Sequence, residues 1–213
     1  MSRYTLEEEE QLAELKAFWN KYGNFILTLL IIGFGAYAAY NGWHWWKARQ
    51  ASQAVKGYES LQNALAKNDL ALVKKVEQTL VQENGGSPYA QRGALLAAKA
   101  AYASGDSAFA KTQLQWAVDH AKLDEYAATA RLLLSGILIE EGKLDEATKL
   151  VSDKSYSGFE GLFSDRLGDI AVARKDNEAA TKAYKKALEE LKPNNPWSQV
   201  VQRKLAALPK AGE

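Results

Sequence analysis

Residues 165–188 read DRLGDIAVARKDNEAATKAYKKAL, and their spacing decides the fold. Lys175 marks a break, and Ala180, Tyr184 and Ala187 follow it at helical intervals. Residues 132–151, LLLSGILIEEGKLDEATKLV, set Gly142 ahead of Ala147 and Val151 at the same distances. Residues 100–118, AAYASGDSAFAKTQLQWAV, set Gly105 ahead of Ala110, Leu114 and Ala117. The three breaks are offset by 37 and 33 residues. Small residues at helix crossings let two helices pack closely, and one larger residue fills the gap to the next hairpin.

These offsets approach the 34-residue period of tetratricopeptide repeats. From Arg49 onward the pattern is helices of about 11–18 residues separated by short breaks, with no strand-like segment, which predicts antiparallel helical hairpins. Further breaks fall at Asn68-Asp69, at Asn84 to Pro88 and at Lys192 to Pro196. The copy at 51–83 is degenerate, with Val73 where the crossing alanine belongs. Residues 196–208, PWSQVVQRKLAAL, read as a capping helix whose Trp197, Val200, Val201, Leu205 and Leu208 cover the exposed end.

Ahead of the hairpins lies FILTLLIIGFGAYAAYNGWHWW, residues 25–46, without a formal charge or a proline. As a helix this run reaches roughly 33 Å, enough to cross a hydrocarbon core. Phe18, Trp19 and Tyr22 flank one end, and Tyr40, Trp43, Trp45 and Trp46 the other, as expected of interfacial rings. The preceding segment is long and net negative, unlike the short positive n-region of a signal peptide, so an uncleaved anchor is expected. Gly35 with Ala39, and Ala38 with Gly42, are small pairs four apart that would let another membrane helix approach closely. Residues 5–22 read as an amphipathic helix, either lying on the membrane surface and turning in at Gly23-Asn24 or extending the membrane helix. The expected fold class is therefore all-α, with boundaries at 1–24, 25–46 (the span) and 47–213 (the repeat domain). Basic residues are nearly balanced on the two sides of the span and do not orient it.

Net charge is −2 over residues 1–24 and +3 after residue 46, too little bias for a nucleic-acid partner. The absence of cysteine excludes disulfides, thiolate metal sites, cysteine nucleophiles and lipidated cysteine. His44 and His120 lie far apart in the pattern and form no joint metal site. Residues 136–144, GILIEEGKL, imitate a phosphate-binding loop but end in Leu where a hydroxyl must reach Mg²⁺. No serine has a nucleophile-elbow setting. The sequence thus predicts a binding protein, not an enzyme, with no cofactor. The first helix of each hairpin should line the wall that meets a peptide, making Arg92, Leu95, Lys99, Tyr102, Leu132, Ile139, Asp165 and Asp169 the candidates.

Residues 14–65 carry Lys16, Phe18 and Gly23 before the span, aromatic residues from Trp43 to Trp46 after it, and then Ala54 and Tyr58. With Tyr89-Ala90, the hairpin from Ala94 to Ala117 and Asp165-Arg166-Leu167-Gly168-Asp169, they resemble the bacterial YfgM-like family, the ancillary subunits of the SecYEG translocon. The resemblance covers nearly the whole chain. It implies an inner-membrane protein of a Gram-negative bacterium with a cytoplasmic N-terminus and a periplasmic repeat domain. It also implies association with SecYEG and with a PpiD-like membrane-anchored periplasmic chaperone, and possible contact with exported client proteins. The competing expectation is a membrane-tethered repeat scaffold for another envelope or respiratory assembly.

Overall fold

The computed structural model describes residues 6–191 and 194–209. The expected helix start at Thr5 and the break residues Lys192 and Pro193 lie outside the described residues. The chain divides into two units, Met1–Ala51 and Ser52–Glu213.

In the first unit every described residue lies in helix α1, which runs unbroken from Leu6 to Ala66. The alternative with a surface helix turning in at Gly23-Asn24 is thereby overturned, because the segment before the apolar run extends it. Gly23 bends nothing. It lets the Trp19 indole lie against the backbone, where an added Cβ would come within 3.1 Å of the ring. The polar groups of the run turn inward on their own helix: Thr28 Oγ1 donates to the Asn24 carbonyl at 2.7 Å, and Asn41 Nδ2 to that of Tyr37 at 2.9 Å. Leu29, Leu30, Ile31, Ile32, Phe34 and Tyr37 all stand exposed. Among the described residues this is the one helix long and apolar enough to cross a membrane. An apolar surface of that length needs lipid or partner helices around it.

The second unit contains the end of α1 and eight further helices among the described residues: α2 (Leu70–Asn84), α3 (Pro88–Ala103), α4 (Ser107–His120), α5 (Asp124–Glu140), α6 (Leu144–Ser152), α7 (Glu160–Ala173), α8 (Asn177–Glu190) and α9 (Trp197–Ala206). One turn is used four times. Asn68, Gly105, Gly142 and Lys175 all take positive φ, from 53° to 84°. At each, the next residue's N–H reaches a carbonyl five residues back, as in Asp106 to Ala101 at 2.8 Å and Asp176 to Ala171 at 2.9 Å. That pattern satisfies the last carbonyls of the first helix. The same next residue starts the second helix: Asp69, Asp106 and Asp176 accept from the N–H groups of Leu72, Phe109 and Ala179. Lys143 occupies that place in the third hairpin and makes no side-chain cap.

Counting from the turn residue exposes the packing code. Five residues on come Val73, Ala110, Ala147 and Ala180, all buried. Nine residues on come Glu77, Leu114, Val151 and Tyr184, again all buried. Seven residues before the turn come Leu61, Ala98, Ser135 and Gly168, buried as well. Size is exchanged between the last two sets: Gly168 has no side chain because a Cβ there would meet the Tyr184 ring at 2.3 Å. Three apolar clusters result, one per end and one in the middle of the unit. Val201 of α9 is fully buried over the last hairpin, with Leu205 and Leu208 packed beside it. This is the cap expected of residues 196–208, formed by three of the five expected residues, since Val200 is half-buried and Trp197 remains exposed.

Candidate partner-binding wall

The first helices α3, α5 and α7 stand side by side, with α5 packed directly on both neighbours. They share a groove of about 230 Å³ whose walls are largely apolar. Ala98 and Tyr102 form one side, Leu133 and Ile137 the other, and Lys99, Glu140 and Arg166 supply charge. Tyr102 donates its hydroxyl to Glu140. That hydrogen bond raises the phenol pKa, so Tyr102 remains a neutral donor. Gly136 forms part of the floor, and a Cβ there would lie 3.3 Å from Arg166 Nη1, so the missing side chain leaves room for the guanidinium.

The eight candidate groove residues separate into four groups. Lys99 and Tyr102 line the groove. Arg92 is exposed on the same helix, its guanidinium 5.6 Å from the centroid of the Tyr58 ring. Leu95 is buried in the middle core, and Leu132 and Ile139 pack against that core half-buried. Asp165 and Asp169 share one helical face, and both are occupied from α9. Asp165, 4 % exposed, accepts from Trp197 Nε1 and Lys204 Nζ at 2.9 Å each. Asp169 accepts from Lys204 at 2.8 Å and from the Tyr184 hydroxyl at 2.9 Å. Burial, reinforced by Asp169, pushes the Tyr184 phenol up. These carboxylates lock the cap to the last hairpin.

Register accounts for part of the division, and the packing of α9 takes Asp169 out of the groove. Lys99, Gly136 and Asp169 stand six residues before their turns, whereas Leu95, Leu132 and Asp165 stand ten before and look toward neighbouring helices. Gly136, Leu133, Glu140 and Arg166 line the groove without having been singled out in the sequence. Gly136 was within reach, since it occupies the register of Lys99. On the membrane helix, Gly35, Ala38, Ala39 and Gly42 are all exposed, and a Cβ added at Gly35 or Gly42 meets nothing within 4 Å. His44 lies beside Tyr40 and His120 stacks on Trp116, with ring centroids 4.4 and 5.2 Å apart. What the groove offers is non-covalent: an apolar channel, a phenol and three charged groups.

Comparison with known proteins agrees with this architecture. The family described as tetratricopeptide repeat-like domain matches residues 16–210. An ancillary SecYEG translocon subunit of Aggregatibacter actinomycetemcomitans is 30% identical over 87% of this chain and 91% of its own. Its counterpart in Haemophilus influenzae is 29% identical over 86% of this chain and 90% of its own. That of Neisseria gonorrhoeae is 26% identical over 95% and 98%. One apolar helix followed by stacked, capped hairpins, matched almost end to end, places this chain in the tetratricopeptide repeat-like family of the ancillary SecYEG translocon subunits.

Proposed function

We propose that this chain is a membrane-anchored, non-enzymatic adaptor of the Sec translocon. The observation that carries the reading is the near end-to-end likeness to ancillary SecYEG subunits of a chain that pairs an exposed apolar helix with a repeat domain. In this reading residues 25–46 cross the inner membrane, residues 1–24 remain in the cytoplasm and residues 47–213 lie in the periplasm. The face of Gly35, Ala38, Ala39 and Gly42 meets a helix of the translocon or of a PpiD-like membrane-anchored chaperone. The wall of α3, α5 and α7, centred on Lys99 and Tyr102, holds a segment of a chaperone or an exported client. Anchoring beside the channel raises the local concentration of that wall, so weak intrinsic affinity suffices.

Affinity purification of the full chain in mild detergent, read by mass spectrometry, tests the reading. The translocon subunits and a periplasmic chaperone should be recovered, and Gly35→Leu with Ala39→Leu should lower the translocon yield several-fold. Recovery of a different membrane assembly without SecYEG would replace this reading with a scaffold. Orientation is tested in a chain without cysteine by single substitutions: Ser52→Cys should react with a membrane-impermeant maleimide from the periplasmic side, and Glu14→Cys should not.

A further inference from the structure

Among the described residues one carboxylate is completely buried away from any ion pair. Glu77 of α2 is 0 % exposed and stands nine residues after its turn, where the other hairpins bury Leu114, Val151 and Tyr184. Its side-chain partner is the Gln113 amide of α4, which is itself buried and lies 2.8 and 3.0 Å from the two carboxylate oxygens. Among the described residues no lysine, arginine or histidine pairs with it. On α1, Lys56 and Glu59 are exposed, and the buried Tyr58 hydroxyl has no partner. On α3, Arg92 lies over the Tyr58 ring and Lys99 is exposed. On α4, Lys111 pairs with Glu141, Asp119 accepts from Gln115, and His120 stacks on Trp116. On α2 itself Lys74 pairs with Asp106, while Lys75 and Glu83 are exposed.

We propose that Glu77 and Gln113 form a protonation-controlled latch between the first hairpin and the second. The chemistry follows from the two ends of an amide. A neutral carboxyl donates its O–H to an amide oxygen, whereas an ionised carboxylate accepts from an amide N–H. Turning the Gln113 amide about its last bond satisfies either state, so the pair stays hydrogen-bonded through the titration. The two states are nevertheless unequal. Protonated, the pair is a neutral contact compatible with a dry interior. Ionised, it leaves a charge that only water can solvate, because no lysine or arginine is paired with it. Admitting that water means loosening α2 from α4. Burial pushes the Glu77 carboxyl up to about 7, so the changeover falls near neutrality. The hinge so created lies in the hairpin that shares α1 with the apolar run. The latch is independent of which partner the repeat wall holds.

Hydrogen exchange of the full chain in detergent micelles, at about pH 6 and about pH 8 and corrected for intrinsic exchange, tests the latch. In the wild type, opening at α2 and α4 should rise about tenfold between the two conditions beyond any change in α8, as expected for an acid exposed from a site of raised pKa. In Glu77→Gln that difference should vanish. Equal protection at both conditions in the wild type, or the same rise in Glu77→Gln, would overturn the proposal. An infrared titration of the unsubstituted chain covers the case in which the variant fails to fold. A carboxylic-acid carbonyl band that persists to near neutrality and is lost around pH 7 supports the latch, and complete ionisation by about pH 5 refutes it.

Discussion

Nine residues after its left-handed turn, the last hairpin buries Tyr184 and the first buries Glu77. Both sites sit at the same step of the same repeat, yet they are built on different principles. Tyr184 fills space made by Gly168, hands its hydroxyl to Asp169 and lies beneath a cap pinned by Lys204. Glu77 has the Gln113 amide for company and, among the described residues, no paired cation. Its hairpin is held to the next through the surface by the Lys74–Asp106 pair, where the lysine holds the Asp106 carboxyl below the usual range. The contrast shows that a repeat register specifies where a side chain goes without specifying how firmly it is held. One end of the solenoid is tuned for rigidity and the other for response.

The comparison can be broken most forcefully at the rigid end. Tyr184→Ala removes a fully packed ring facing a glycine, and should lower the unfolding free energy of the full chain by about 3–5 kcal/mol in urea titrations followed by circular dichroism. An effect below about 1 kcal/mol would show that the last hairpin collapses around the gap and is less rigid than its packing indicates.

The responsive end is sharpened by pH. Because the folded Glu77 carboxyl titrates at about 7 against an ordinary value of 4.5, the unfolded chain gives up this proton first as pH rises. Its contribution to stability is therefore complete below about pH 4.5, is lost progressively as pH climbs toward 7, and is constant beyond, a total of about 3 kcal/mol. Glu77→Gln should flatten that segment of the stability profile, and Tyr184→Phe should leave it in place.

A smaller effect is expected at the cap. Lys204→Met leaves Asp165 with the Trp197 N–H as its remaining partner from α9, and should cost about 2 kcal/mol. Urea titration of the variant beside the wild type would measure the loss. The smallest change is a gain. Lys175 holds φ at 62°, a conformation that costs a side-chain residue about 1 kcal/mol, so Lys175→Gly should stabilise the last hairpin by about that amount. Gly105→Lys, which imposes the same conformation at the second hairpin, should cost as much.

Much of this molecule is legible from residue order alone. The apolar run, the hairpin breaks and the small residues after each turn are local or periodic signals, and Ala110, Ala147, Ala180 and Ala187 are all buried as the period requires. The cap over residues 196–208 is equally readable, because an amphipathic stretch after the last repeat has one apolar face to cover. The groove was less accessible. Lys99 and Tyr102 line it, but Leu95 on the same helix and Asp165 and Asp169 on α7 are spent on internal contacts. Helical spacing assigns a residue to a face, and it does not say which neighbour that face meets. Glu77 could have been found by carrying the nine-residue count back to Asn68, since a carboxylate at a core step is conspicuous once the register is applied to the degenerate copy.

Sequence alone therefore determined the class of the protein: one membrane-length apolar helix followed by helical hairpins. Hydrophobic length and a near-34-residue period require nothing beyond chain-local physics. Tertiary structure decided that residues 6–66 are one helix, that Lys204 claims two acids of the candidate wall, and that Glu77 has an amide and no cation beside it. Each of these depends on which side chains meet across helices, and the strength of a buried charge is set by its surroundings rather than by its place in the chain.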